Sequence, residues 1–241
     1  MNNALPTPWT VTAQNLPEHR RNPIHTDDGA RAAGFPRALV AGVTTYAYLT
    51  HPVVAAWGTS WLENGGGEVR FRKPVFDQDT VLCEPLVKDN SVFIHAITSE
   101  PEQPRVVFEA FRSSPTATAI RTGPALRTVE YTLEGEHGTD RGLLAGEDLP
   151  IYREHNLVHP AVWPTLANDV VHTQIATGSW VHTRSIIRHH GLVHAGAMCR
   201  IESAIVDRFN AGGERVVLDL HFIVDNIVVT SIEHEAIIKL P

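Results

Sequence analysis

Residues 38–62, ALVAGVTTYAYLTHPVVAAWGTSWL, contain no Lys, Arg, Asp or Glu. A run of this length could cross a bilayer. Thr44, Thr45, Thr50, His51 and Pro52 interrupt it, however, and the flanking Arg37 and Glu63 show no basic bias. The stretch therefore reads as a buried helix that ends near the His-Pro pair, and no membrane partner is expected. Beyond it the rhythm changes to alternating apolar and polar residues over 68–72, 80–87, 91–98 and 106–113, with the Pro-rich turn 100–104 between the last two. One apolar helix trailed by antiparallel strands indicates an α+β unit in which a sheet wraps a helix.

The same order occurs twice. In the first round a short strand at 9–12 and a capped helical turn after His25 precede the long helix. In the second, a strand at 127–133 and a Gly-rich, charged loop at 134–148 lead to an apolar helix at 161–174. Strands follow at 180–188, 198–209, 216–225 and 228–240, with Asn-Ala-Gly-Gly at 210–213 as a hairpin signal. A shift of 116 residues lays Arg72 on Arg188 and Cys83 on Cys199. The breakers Gly123 and Pro124 place the boundary between halves 1–124 and 125–241. The expected architecture is two antiparallel sheets, each wrapped around a long apolar helix.

Composition narrows the function classes. At 241 residues and 43% apolar content the chain can bury a large core without a disulfide or a metal staple. Twenty Lys and Arg against 27 Asp and Glu give a net charge of −7, and no basic cluster exists to grip phosphates, so nucleic acid is not an expected partner. The start MNNALPTPWTVTAQ lacks the pattern of a secretory signal, and Cys83 and Cys199 are isolated in strand interiors, so a cytoplasmic location and core roles for both thiols are expected. Dinucleotide loops, P-loops and Gly-x-Ser-x-Gly elbows are missing.

The densest chemical signal is Arg21-Asn-Pro-Ile-His-Thr-Asp-Asp28, followed by Ala32-Ala-Gly-Phe35 and Leu39-Val-Ala-Gly42. Pro23 biases Asn22 towards extended backbone, Thr26 can cap a helix, and His25 stands at the junction of loop and helix, where an imidazole can be aimed into a cleft and exchange protons near neutral pH.

This run resembles the MaoC-like family, the R-specific enoyl-CoA hydratases and dehydratases of the hotdog fold. The family motif reads Asp-x-Asn-Pro-(Ile/Leu/Val)-His, then Gly-Phe, then His-Gly at the start of the central helix. Asn22, Pro23, Ile24, His25, Gly34, Phe35 and Gly42 match it, and the doubled layout extends the resemblance to a double hotdog over the whole chain. The resemblance implies addition of water to a trans-2-enoyl thioester, or the reverse, on CoA or acyl carrier protein and without a cofactor. It also implies that His25 transfers the proton, that Asn22 orients the loop or substrate, and that Gly42 supplies an oxyanion donor at the helix N-terminus.

Two positions depart from the motif: Arg20 stands where the family has Asp, and Ala41 where it has His. A guanidinium cannot serve as a base, so Glu18, Asp27, Asp28 or an imidazole from the second half would have to replace the carboxylate. Alternatives on the same fold are an acyl thioesterase, another proton-transfer enzyme acting on a polyketide or fatty-acyl intermediate, and a non-catalytic acyl-thioester-binding subunit.

Four more residues are candidates for substrate contact. Asp27 follows Thr26 where a carboxylate favours a helix N-terminus, and Tyr46 lies on the apolar helix. His182 is expected to share a strand face with Arg184, Ile186 and Arg188, which is either a solvated face or the wall of a cleft. Arg72, on one face with Glu68 and Arg70, is either solvated or meets a CoA or carrier phosphate. Ten of the fourteen histidines lie beyond residue 124, but His189 and His190 alternate across a strand and no HExxH pattern exists, so no metal is expected. The fused pair of halves is compatible with a monomer or a homodimer.

Overall fold

The computed structural model describes residues 4–89 and 91–240. Its elements are laid down in two rounds. The first comprises β1 (Trp9–Thr12), 3-10 turns at Pro17–Arg21 and Pro23–His25, α1 (Asp27–Ala32), α2 (Gly42–Asn64), β2 (Gly66–Phe71), β3 (Thr80–Lys88), β4 (Ser91–Ile97) and β5 (Val106–Phe111). The second comprises β6 (Val129–Thr132), a 3-10 turn at Gly135–His137, α3 (Asp140–Leu144), α4 (Ile151–Glu154), α5 (Val162–Gln174), β7 (Val181–His189), β8 (Met198–Asn210), β9 (Glu214–Val224) and β10 (Ile227–Lys239).

Instead of two sheets, the strands form one ten-stranded sheet in the order β1-β3-β4-β5-β2-β7-β10-β9-β8-β6. Every pairing in it is antiparallel. The physical reason is the free edge of β2: its unpaired backbone groups are satisfied by β7, from Gly66 opposite Arg188 to Arg70 opposite Arg184. The seam is reinforced by charge. Arg184 binds both Glu68 and Glu233, and Arg70 also reaches Glu68. The strand order reads the same from either end once the second-round strands replace their first-round counterparts.

The isolated bridges Leu39 to Phe76 and Leu157 to His194 are related by a shift of 118 residues, two more than the shift read from the sequence. Because a strand repeats every two residues, this difference leaves Cys83 and Cys199 on equivalent faces. Both are buried, and they pair with Trp9 and Tyr131 at the outer strands.

The long helix α2 does not stop at His51-Pro52 but runs to Asn64, with a break in its geometry at Gly58 (φ 61°). An interior proline costs about 3 kcal/mol. Tyr48, Leu49, Val53, Val54, Trp57 and Trp61 are all buried around it, and at roughly 1.5–3 kcal/mol for each large apolar side chain, burial outweighs that penalty. The second half has no equally long helix. Its helical layer is split into α3, α4 and the 13-residue α5, which the Thr177-Gly178 pair follows closely. Pro164 is tolerated in the first turn of α5, where its missing N–H would have no helical partner. Among the described residues no helix is long and apolar enough to cross a membrane.

Candidate active site

A cavity of about 280 Å³ lies where the loop before α1, the start of α2 and strand β7 meet. Asn22, His25, Gly42, Phe71, Arg72 and His182 all contribute to its lining, so it draws on both halves of the sheet.

The loop around His25 is built as its sequence suggests. Asn22 precedes Pro23 in extended conformation (φ −88°, ψ 116°) and accepts a hydrogen bond from the Ile24 N–H at 3.4 Å. Its Nδ2 donates to the Trp180 carbonyl at 2.9 Å, so the side chain ties the loop to the second half. Thr26 caps α1 by accepting from the Gly29 N–H at 3.2 Å. His25 Nδ1 lies 2.8 Å from the Leu39 carbonyl. A carbonyl only accepts, so Nδ1 carries the proton and Nε2 of the neutral ring keeps its lone pair. Burial lowers the His25 pKa, against a smaller opposing effect of the Leu39 hydrogen bond, which favours that neutral form.

Gly42 opens α2 with Ala41 as its N-cap. The first N–H groups of a helix have no intrahelical acceptor, so this end offers hydrogen-bond donors and the positive end of the helix dipole. Only glycine fits here without displacement: an added Cβ would stand 3.0 Å from the Phe71 ring.

His182 is not on a solvated face. The pairing of β7 with β10 slips between Glu235 and Ala236, so Thr183 is extruded as a β-bulge. The bulge resets the alternation: His182 turns inward with Ser185, Ile187 and His189, all buried, rather than sharing a face with Arg184, Ile186 and Arg188. His182 Nε2 is 2.8 Å from Ser185 Oγ, which is 2.9 Å from His234 Nδ1. One hydroxyl has one proton, so Ser185 donates to one ring and accepts from the other. Burial pushes the His182 pKa well below 6.5 and that of His234 to about 3, leaving a chain of neutral groups. His182 Nδ1, Asn168 Oδ1 and Trp180 Nε1 are buried polar atoms without protein partners, and all three residues line the cavity.

The carboxylates proposed to replace the motif acid lie elsewhere. Glu18 is bound to the buried Arg141 at 2.7 Å. Asp27 is exposed and lies outside the cavity lining: it accepts from the Ala38 N–H at 2.9 Å and pairs with Arg31 at 3.2 Å, because the start of α1 faces solvent. Asp28 is also exposed and pairs with Arg31. Tyr46 is likewise outside the lining. It is fully buried and meets Phe108 edge-on with ring centroids 5.3 Å apart, since its position on α2 faces the sheet. Of the four expected replacements for the acid, only an imidazole from the second half reaches the cavity. Arg72 also reaches it, and among the described residues no carboxylate forms an ion pair with it. Asn168 and Trp180 in the lining, and Ser185 and His234 behind His182, were not readable as site residues, because the first two depend on the seam between halves and the last two on the bulge.

Two helix-wrapping units on one shared sheet are the hallmark of a double hotdog protein. A conserved hypothetical protein from Mycobacterium tuberculosis, described as having a double hotdog fold, matches 97% of this chain over 96% of its own, with a TM-score of 0.65 and 13% identity. Residues 16–100 match the family model described as MaoC like domain. A protein provisionally described as a MaoC domain dehydratase from Chloroflexus aurantiacus superposes with a TM-score of 0.63 and 12% identity, over 99% of this chain and 96% of that one. The dehydratase domain of PpsC from Mycobacterium tuberculosis, solved with C12:1-CoA, gives 0.54 and 10% over 95% and 92%. Structures described as thioesterases are also among the matches. No curated protein sequence matches the chain.

Proposed function

We propose that the protein is a cofactor-free hydratase or dehydratase of an enoyl or 3-hydroxyacyl thioester carried on CoA or acyl carrier protein. The observation that carries this reading is the pair of neutral imidazoles, His25 and His182, on one cavity at the N-terminus of α2. In the proposed reaction the thioester carbonyl accepts from the helix-terminal N–H groups at Gly42, which hold the enolate oxygen as charge develops. His25 Nε2 removes a proton from water while the water oxygen bonds to C3, and the same proton is then delivered to C2. Dehydration reverses these steps. His182, through Nδ1, orients the water, while Asn22 fixes the loop that presents His25. Arg72 is placed to meet a phosphate of the carrier. Within this reading the halves 1–124 and 125–241 act as two hotdog domains with one cavity at their seam.

Loss of the enoyl absorbance on mixing with crotonyl-CoA and longer trans-2-enoyl-CoA esters tests the proposal, with free thiol followed in parallel. Water addition without thiol release supports it. Thiol release identifies a thioesterase using the same cavity. Binding of acyl-CoA with no turnover identifies a non-catalytic subunit, consistent with Arg20 in the motif.

A further inference from the structure

The second half has a cavity of its own, of about 510 Å³, none of whose lining residues belongs to the cavity at His25. Glu147, Asp148 and Tyr152 are among its walls. Beside it stands His51, from the middle of α2. One ligand atom from each of His51, Glu147 and Asp148 lies within 4.8 Å of the others.

Their geometry is specific. His51 Nδ1 is 2.6 Å from Glu147 Oε1 and 3.7 Å from Asp148 Oδ1. Trp9 stacks on the His51 ring at 4.0 Å and 13°, which fixes its plane. Glu147 Oε1 also accepts from the Leu149 N–H at 2.8 Å, whereas Oε2 is buried and has no hydrogen-bond partner. Its neighbour, His159 Nε2, stands 3.8 Å away, beyond hydrogen-bonding distance. The nearby buried cation Arg141 is committed to Glu18. A simple histidine–carboxylate clamp between the halves accounts for Oε1. It leaves Oε2 buried without a hydrogen-bond partner, a cost that a cation beside the carboxylate offsets through its charge whichever oxygen it touches.

We infer that His51, Glu147 and Asp148 form a binding site for one divalent transition-metal ion that bridges the two halves of the chain. One imidazole and two carboxylates are a donor set suited to zinc, cobalt or manganese. Ligand atoms about 2.0–2.2 Å from a tetrahedral ion lie about 3.3–3.6 Å from one another. The separations of 2.6 and 3.7 Å bracket that range, so small side-chain rotations admit the ion. It takes the place of the Nδ1 proton, which moves to Nε2 of His51, and water from the cavity completes the coordination. His159 is not a ligand: the Ala161 N–H reaches its Nδ1 at 3.2 Å, so its proton sits on Nε2.

The test uses untagged full-length protein stripped with a chelator, titrated calorimetrically with Zn²⁺ and with Co²⁺. The expected result is one ion per chain, a visible Co²⁺ absorption band typical of low coordination number, and a melting temperature raised by about 5–10 °C at a hundredfold excess over Kd. Asp148 is exposed, so Asp148→Asn keeps the fold and is expected to weaken binding at least tenfold while leaving the metal-free melting temperature unchanged. Glu147→Gln abolishes binding. Absence of heat at about 100 µM ion, or equal affinity in wild type and Asp148→Asn, overturns the inference.

Discussion

Replacing Ser185 by Ala removes one oxygen and with it both links in the chain from His182 to His234. Nothing else fills the gap, because the two ring nitrogens approach only that hydroxyl, at 2.8 and 2.9 Å, and all three side chains are buried. Each imidazole is left with an unsatisfied buried nitrogen, at about 1–3 kcal/mol apiece, so a loss of roughly 2–6 kcal/mol in unfolding free energy is expected. That is a large share of the ~5–15 kcal/mol typical of a native domain, yet it permits folding. Urea denaturation measures the stability change. Steady-state kinetics on an enoyl-CoA substrate measures the functional one: kcat should fall about 10- to 100-fold with KM little changed, because the substrate still meets Gly42 and Arg72 while His182 no longer holds the water. Ser185→Thr, which retains a hydroxyl, should recover much of kcat. If Ser185→Ala loses the expected stability but keeps the wild-type kcat, the hydroxyl is a packing element alone and His182 needs no positioning.

Other expectations follow from single contacts. The acid limb of kcat/KM should have its midpoint below pH 6.5, because burial lowers the His25 pKa and the base works only when neutral; a midpoint above that value contradicts the assignment. Stability should be fully present above pH 6.5 and decline as pH falls towards 3. His19, His189 and His234 have pKa values of about 3 in the fold and bind protons near 6.5 once unfolded, each contributing up to ~1.4 kcal/mol per pH unit in that window, as read from unfolding midpoints. Asp27→Ala should cost about 0.5–1 kcal/mol by removing the acceptor for the Ala38 N–H and a helix-terminal charge, with kcat unchanged. A collapse of kcat would return Asp27 to the reaction. Tyr46→Phe deletes a buried hydroxyl that has no hydrogen-bond partner and should raise stability by about 1 kcal/mol without affecting turnover, as scanning calorimetry and the same kinetic assay would show.

What could be read from the sequence was local. Asn22, Pro23, Ile24 and His25 act within one turn, so their order already implies an extended Asn, a capped helix and a projecting imidazole, and the structure has each of these features. The doubled order of helix and strands was likewise legible, because each element carries its own periodicity. Features set by pairing between distant segments were not. The inward turn of His182 depends on one extruded residue, Thr183, in register with β10. The single sheet depends on which edge β2 finds, and the contact between His51 and Glu147 spans 96 positions. The end of α2 was misplaced because helix propensity at Pro52 is a weaker force than the burial of the two tryptophans beyond it.

The central claim is that an acyl thioester lies between His25 and His182 with its carbonyl at the start of α2. A crystal structure with a bound trans-2-enoyl-CoA or its non-hydrolysable analogue tests it most directly. The account predicts the carbonyl oxygen within about 3 Å of the Gly42 or Val43 N–H and C3 facing His25 Nε2 across one water. An acyl chain seated outside this cavity, or a carbonyl turned away from the helix terminus, would contradict it.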